Sequence, residues 1–299
     1  MSTQIALIAF DRFDYFERAL AAIANAETGS EASILVFIDS IKNSKKEKDP
    51  SSVLGNSRII EKCKDVATAG IFKNFEYFVW PENVGCWKNK KECVGAAFEK
   101  SDHVLVVEDD VILAENALLF CDWAKKSGLL DSRKLFQLSL FSYFFPAGSS
   151  YPEEEQDIVS NSLEGLIYIR NWATPWGWYL PRKSWDLIKD EWNGWDQWVG
   201  HKCQELEMVE VAPLISHCDN IGMEGTNRRG IERIDTHLRE TTSDDFNISE
   251  WAPHLGMNLD EFKRALEDDI GALTRHSGKV YGRFKNATAK VARAKLSGL

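Results

Sequence analysis

Short apolar runs alternate with stretches of helical periodicity through the first half of the chain. Gln4 to Phe10 predicts a buried strand, and Phe13 to Ala26 places apolar residues at three- and four-residue spacing, which predicts a helix. The alternation repeats: Ser33 to Ile38 reads as a strand, Ile59 to Ala69 as a helix, Phe75 to Trp80 as a strand and Glu92 to Phe98 as the end of a helix. His103 to Val107 is a fourth strand. Strands separated by helices predict an α/β fold with a mainly parallel central sheet, whose ligands lie beyond the carboxyl ends of its strands. Ile41 to Ser52 has almost nothing apolar to bury and predicts a mobile surface loop.

Farther along, Leu135 to Leu140 is another strand, Ser149 to Asp157 an acidic connection, and Val209 to His217 a strand followed by a glycine-containing loop, Asn220 to Asn227. Between these lies a tryptophan-rich stretch: Trp172, Trp176, Trp178, Trp185, Trp192, Trp195 and Trp198 are among the 11 tryptophans of the chain. The expected organisation is a donor-binding half over 1–135, an acceptor-binding and catalytic half of the same domain over 136–256, and a helical basic tail over 257–299.

The 299 residues are 44% hydrophobic, ample for one large core, and the formal charge of -10 argues against nucleic acid as a partner. The apolar run Ile5 to Phe10 is too short for a signal peptide or membrane span, so the expected location is cytoplasmic. Arg275 to Leu299 reverses the overall charge, with Lys and Arg and no carboxylate, and is either a peripheral membrane contact or a solvated helix face. The six cysteines lack zinc-site spacing and read as reduced, structural thiols.

The sharpest chemical signal follows the fourth strand. Val104-Leu105-Val106-Val107 ends abruptly in Glu108-Asp109-Asp110 before apolar residues resume. Adjacent carboxylates repel and raise one another's pKa, and a divalent cation with oxygen ligands is one compensation. A solvated turn or an acidic helix start is the other reading.

The triplet, with Ala114-Glu115-Asn116 after it, resembles the donor motif of the N-acetylglucosaminyltransferase I group, glycosyltransferase family 13, whose fold is GT-A. Ala9-Phe10-Asp11-Arg12 and Phe37-Ile38-Asp39 are similar to that family's first and second strand ends. Gly177-Trp178-Tyr179-Leu180 and Trp195-Asp196-Gln197-Trp198 resemble its later segments. Pro81-Glu82-Asn83-Val84-Gly85 is closer to the turn of broader GT-A transferases, which leaves the nucleotide base open.

The resemblance implies a metal-dependent glycosyltransferase that uses a nucleoside-diphosphate sugar, a UDP-sugar by preference, and a glycan or lipid-linked acceptor. Carried over, Arg12 contacts the base, Asp39 holds the nucleoside, Glu108 and Asp109 face the nucleoside, and Asp110 binds Mn²⁺ or Mg²⁺. Phe10, Asn83, Ser216 and Arg228 join the donor set, and His217 is a second metal candidate or an ordinary strand-end histidine. Asp196 is the expected general base of an inverting transfer, because an acceptor hydroxyl is a poor nucleophile until its proton is accepted. Trp178, Trp195 and Trp198 would wall the acceptor, aromatic faces packing on sugar rings. A retaining transferase, a noncatalytic carbohydrate-binding protein on a degenerate transferase fold and a sugar-nucleotide nucleotidyltransferase remain as alternatives. The last usually has a glycine-rich loop after the first strand, which Phe10-Asp11-Arg12-Phe13-Asp14 lacks.

Overall fold

A computed structural model describes residues 2–142, 166–194, 197–213, 216–222, 252–253 and 259–268. Three β/α units and a fourth strand open the chain: β1 (Gln4–Ala9), α1 (Phe13–Asn25), β2 (Ser33–Ile38), α2 (Pro50–Ala69), β3 (Asn74–Val79), α3 (Cys86–Phe98) and β4 (His103–Glu108). There follow β5 (Val111–Leu113), α4 (Ala117–Lys126), β6 (Leu135–Ser139), β7 (Leu166–Arg170), β8 (Trp178–Pro181), α5 (Arg182–Ile188) and α6 (Gln197–Glu205). The described part closes with β9 (Val209–Pro213), β10 (Cys218–Asn220), β11 (Ala252–Pro253) and α7 (Leu259–Asp268).

Among the described residues nine strands form one sheet in the order β11-β7-β9-β6-β8-β4-β1-β2-β3, and β5 and β10 make a separate antiparallel ribbon. The block β3-β2-β1-β4 is parallel, as is the pair β6 and β9, while β8 runs antiparallel between β4 and β6. The expected α/β architecture, a mainly parallel sheet flanked by helices, is therefore present. Strand residues alternate between two cores. Ile5, Leu7 and Ala9 pack with Phe16, Ile59 and Phe120 from α1, α2 and α4. Ala6 and Ile8 face the opposite core, which holds Val94 and Phe98 of α3 with Trp185 and Val199. Both faces of the central strands are buried, which is why they read as unbroken apolar runs.

Two expectations need correction. The polar stretch before α2 ends at Asp49, not Ser52: Asp49 caps the helix by accepting from the Ser51 amide, and Pro50 occupies its first turn. The polar opening turns concealed a helix that begins nine residues before the expected Ile59. The single strand expected over Val209 to His217 is also interrupted, β9 stopping at Pro213 and β10 starting at Cys218. Short strands β5, β7, β8, β10 and β11 were not anticipated as strands, being brief and lacking a period of their own. Of the expected tail, α7 docks through buried Phe262 and Leu266 and through Lys263, whose Nζ donates to the Ser127 carbonyl at 2.7 Å. The basic stretch 275–299 lies outside the described residues. No helix among the described residues is long and apolar enough to cross a membrane. Five of the six cysteines are buried, and none forms a disulfide.

Candidate functional site

The strand order creates one topological switch point. From β1 the chain moves outward through β2 and β3, then returns to place β4 on the other side of β1. Loops leaving β1 and β4 therefore diverge, and the crevice between such loops is where open α/β sheets bind ligands. Arg12 leaves β1 and Asp109-Asp110 leaves β4, and the structure joins them: Arg12 Nη2 donates to Asp109 Oδ1, and Nη1 lies 2.9 Å from Asp110 Oδ2.

The acid triplet is compensated from inside the protein. Lys90, on α3 and 2% exposed, reaches Glu108 Oε2 at 2.8 Å. Burial pushes Asp109 and Asp110 above the ordinary carboxylate range, Arg12 opposes that rise for both, and carboxylate neighbours add to it. Lys90 was missed by the sequence reading because Lys88-Asn89-Lys90-Lys91 looks like a solvated helix face.

Two asparagines cinch the strand ends from opposite faces. Asn56 of α2 donates through Nδ2 to the carbonyls of Phe10 and Asp39, at 2.5 and 2.8 Å. Asn89 of α3 is buried and donates to the Phe37 carbonyl at 3.3 Å while accepting from Trp80 Nε1 at 2.9 Å. Gly55 permits the first clamp, since a Cβ there would meet the Asp11 carbonyl oxygen at 2.0 Å. Asp11 is itself paired with Lys46 at 2.7 Å, and Lys46 Nζ lies 5.8 Å from the centroid of the half-buried Phe10 ring.

Asp39 and Asn83 come together, in a role different from the expected one. Asp39 Oδ1 accepts from the amides of Ser40 and Val84, and Oδ2 from Asn83 Nδ2 and the Gly85 amide, at 2.9–3.0 Å. Both carboxylate oxygens are engaged by the turn over 81–85, so Asp39 fastens that turn to the end of β2 instead of presenting an open carboxylate. Burial raises its pKa and the backbone donors oppose the rise.

On the other flank, the β5–β10 ribbon brings Asn220 and Gly222 to the triplet, which the motif reading did not assign. Asn220 Nδ2 lies 3.3 Å from Asp110 Oδ1, and the Ile221 amide donates to the Asp110 carbonyl at 2.8 Å. A Cβ on Gly222 would stand 2.4 Å from Asp110 Oδ2.

His217 is at the far end of the same ribbon, its carbonyl accepting from Ala114. Its Nδ1 lies 2.8 Å from Asn116 Oδ1 and its ring lies beside Phe120, centroids 5.1 Å apart. Among the described residues His217 is buried and sits at the opposite end of the ribbon from the Asp110 contacts, the placement of the strand-end histidine that was the other expectation for it. Ser216 braces the same region, donating to the Cys218 carbonyl at 2.7 Å and accepting from the Ser142 amide at 3.1 Å.

The tryptophan-rich stretch divides. Trp178 is fully buried on β8, so its expected place in an acceptor wall is corrected to the core. Trp185 stacks on Phe98 with centroids 5.8 Å apart, and Trp192 bridges it to the half-buried Trp198 through centroid distances of 5.5 and 5.8 Å. Trp172 packs against Gly200 of α6, where a Cβ would meet its ring at 2.3 Å. The loop carrying Trp172 is held by the buried Glu210, which accepts from the Thr174 amide at 2.7 Å and pairs with Arg170. Trp195, Asp196 and Arg228 lie outside the described residues.

A divalent cation is what the family resemblance implies. Among the described residues no three His, Cys, Asp or Glu side chains converge on a metal cage. Asp110 still offers hard carboxylate oxygens at the switch point, which suit a cation that takes the rest of its shell from phosphates and water. Arg12 is the cation found on that carboxylate.

No family model matches the chain. No curated protein matches it. Among solved structures it is similar to S. aureus TarS at 12% identity and a TM-score of 0.41, over 71% of this chain and 35% of that one. It is also similar to S. aureus TarS 1-349 at 12% identity and a TM-score of 0.43, over 73% of this chain and 60% of that one. The chain thus spans 35% and 60% of these two neighbours' lengths.

Proposed function

We propose that this chain is a metal-dependent glycosyltransferase of GT-A type that moves a sugar from a nucleoside diphosphate, UDP by preference, to a glycan or lipid-linked hydroxyl. The observation that carries the reading is the meeting of Arg12 with Asp109 and Asp110 across the β1/β4 switch point. A nucleotide site there would use the loops around Phe10, Arg12, Asn83 and Glu108, with Asp39 and Asn56 fixing their shape from behind.

Departure of a nucleoside diphosphate builds negative charge on its β-phosphate, and stabilising that charge lowers the barrier. Arg12, which the family resemblance puts at the nucleotide base, can alternatively meet phosphate oxygens through a planar pair of donors, and this is the role proposed for it. Mn²⁺ or Mg²⁺, held by Asp110 when bound, would supply further charge stabilisation. Asp196 is the proposed base that accepts the acceptor's proton, with Trp195 and Trp198 beside the acceptor and Arg228 toward the diphosphate. Trp172, seated on Gly200, orients α6, whose first residue follows Asp196.

Calorimetric titration of UDP, GDP and dTDP, with and without Mn²⁺, tests the donor site. One nucleotide is expected to bind with metal and to lose that binding in Asp110→Asn. Glycan binding without affinity for any nucleotide would overturn the reading in favour of a noncatalytic carbohydrate-binding protein. Unchanged transfer by Asp196→Asn would remove the base assignment.

A further inference from the structure

We propose that Arg12 is the resident counter-ion of Asp110, that it has to leave before a divalent cation is held there, and that the donor's diphosphate draws it away. The inference rests on the nucleotide-sugar reading of this site and adds the order in which its charges exchange.

The guanidinium is spread over two carboxylates. Nη2 and Nε address Asp109, the latter at 3.4 Å from Oδ2, and Nη1 addresses Asp110 Oδ2 at 2.9 Å. Asp110 Oδ1 accepts from Asn220, and Gly222 closes against Oδ2 so tightly that a Cβ would stand 2.4 Å away. Both oxygens of Asp110 are therefore in use. A divalent cation approaching Oδ2 meets the Arg12 positive charge at hydrogen-bond distance, and like charges at that separation oppose one another. Arg12 is the movable member. It precedes α1, and its side chain is 26% exposed beside the Tyr15 ring, 5.4 Å from the centroid.

A diphosphate offers the guanidinium oxygens matched to its planar fork, with more negative charge than a single carboxylate. As Arg12 turns to the phosphates, Asp110 loses its cation and becomes a ligand. Nucleotide and metal then bind with positive coupling, and the coupling is reciprocal by linkage. Metal alone is held weakly, and Arg12 is the residue that makes it so.

The test compares wild type, Arg12→Gln, Arg12→Lys and Asp110→Asn. Free Mn²⁺ is followed by its paramagnetic resonance signal, without nucleotide and with saturating UDP, GDP or dTDP in turn, each corrected by the same titration of nucleotide without protein. Wild type is expected to bind Mn²⁺ about tenfold or more tightly with the preferred nucleotide than without it. Arg12→Gln is expected to bind Mn²⁺ alone about tenfold more tightly than wild type and to show a smaller nucleotide effect, the remainder being direct phosphate contact with the metal. Arg12→Lys, which keeps the charge but cannot span both carboxylates, is expected to fall between them and serves if the glutamine variant does not fold. Asp110→Asn should abolish the gain. Mn²⁺ binding by Arg12→Gln, or by Arg12→Lys in its place, that is no tighter than wild type would overturn the counter-ion role, as would no Mn²⁺ binding by either protein. Failure of wild type to bind any of the three nucleotides would instead overturn the donor reading, and the metal-only comparison would still decide the role of Arg12.

Discussion

Lys90 Nζ lies 2.8 Å from Glu108 Oε2, and the two side chains are unequally covered: the lysine is 2% exposed and the glutamate 19%. Lys90 also acts on Asp110, whose carboxyl pKa it lowers. Lys90→Met therefore removes a buried cation from the whole acid triplet and is expected to cost about 3–5 kcal/mol of stability, whereas in Glu108→Ala the lysine still faces Asp110 and the loss is expected to be smaller. Urea denaturation of both variants checks the order; a larger loss for Glu108→Ala would contradict it.

The approach of Gly222 to Asp110 makes a second prediction. In Gly222→Ala the added methyl displaces a carboxylate that Arg12 and Asn220 otherwise hold. Metal-dependent nucleotide affinity is expected to fall by about tenfold or more, while stability changes by only about 1 kcal/mol. Calorimetry with thermal unfolding on the same sample separates the two effects.

Gly55→Ala acts on the same site from behind. Its methyl would meet the backbone of Asp11, which yields far less readily than a side-chain tip, and α2 would be pushed off the β1 loop together with Asn56. Overpacking of this kind costs about 1–3 kcal/mol, readable as a lowered denaturation midpoint.

His217 gives the protein a signed pH dependence. Burial lowers its pKa from 6.5 to about 3, so below about pH 6.5 the unfolded chain binds a proton that the folded one does not. The stability it confers by staying neutral is present above the unfolded value and is lost as pH falls from about 6.5 toward 3. Between about pH 7 and pH 5 the wild type is expected to lose about 2 kcal/mol more than His217→Gln. Parallel denaturation curves at the two pH values check the difference.

Much of the sheet was legible because β1, β2 and β4 are buried on both faces and so read as continuous apolar runs. The acid triplet was legible because three carboxylates interrupt such a run. Lys90 and Asn89 were not, since their burial comes from α3 packing over the strand ends and leaves no mark on a string of charged and polar residues. Asp39 shows a subtler limit: its position at a strand end was correct, but only coordinates reveal that its oxygens are taken by a turn more than forty residues later. Trp178 and His217 carried chemically suggestive side chains into places decided by packing. The polar first turns of α2 hid a helix whose buried residues there are small or polar for a reason: Ser52 bonds the capping Asp49 carboxylate, and Gly55 and Asn56 face backbone.

The insertion of β8 between β4 and β6 also has a consequence for how the chain is made. Val106 acquires its neighbour Trp178, 72 residues further along the chain, only once that much more of it has left the ribosome. Until then β4 is an open edge whose middle, Val104 to Val107, is wholly apolar, the kind of edge that recruits other chains. A nascent chain or truncation ending before Trp178 should therefore aggregate, and the β/α units that carry Arg12 and Asp110 cannot serve as a stand-alone fragment. Their solubility depends on a short strand contributed by the half of the protein that follows.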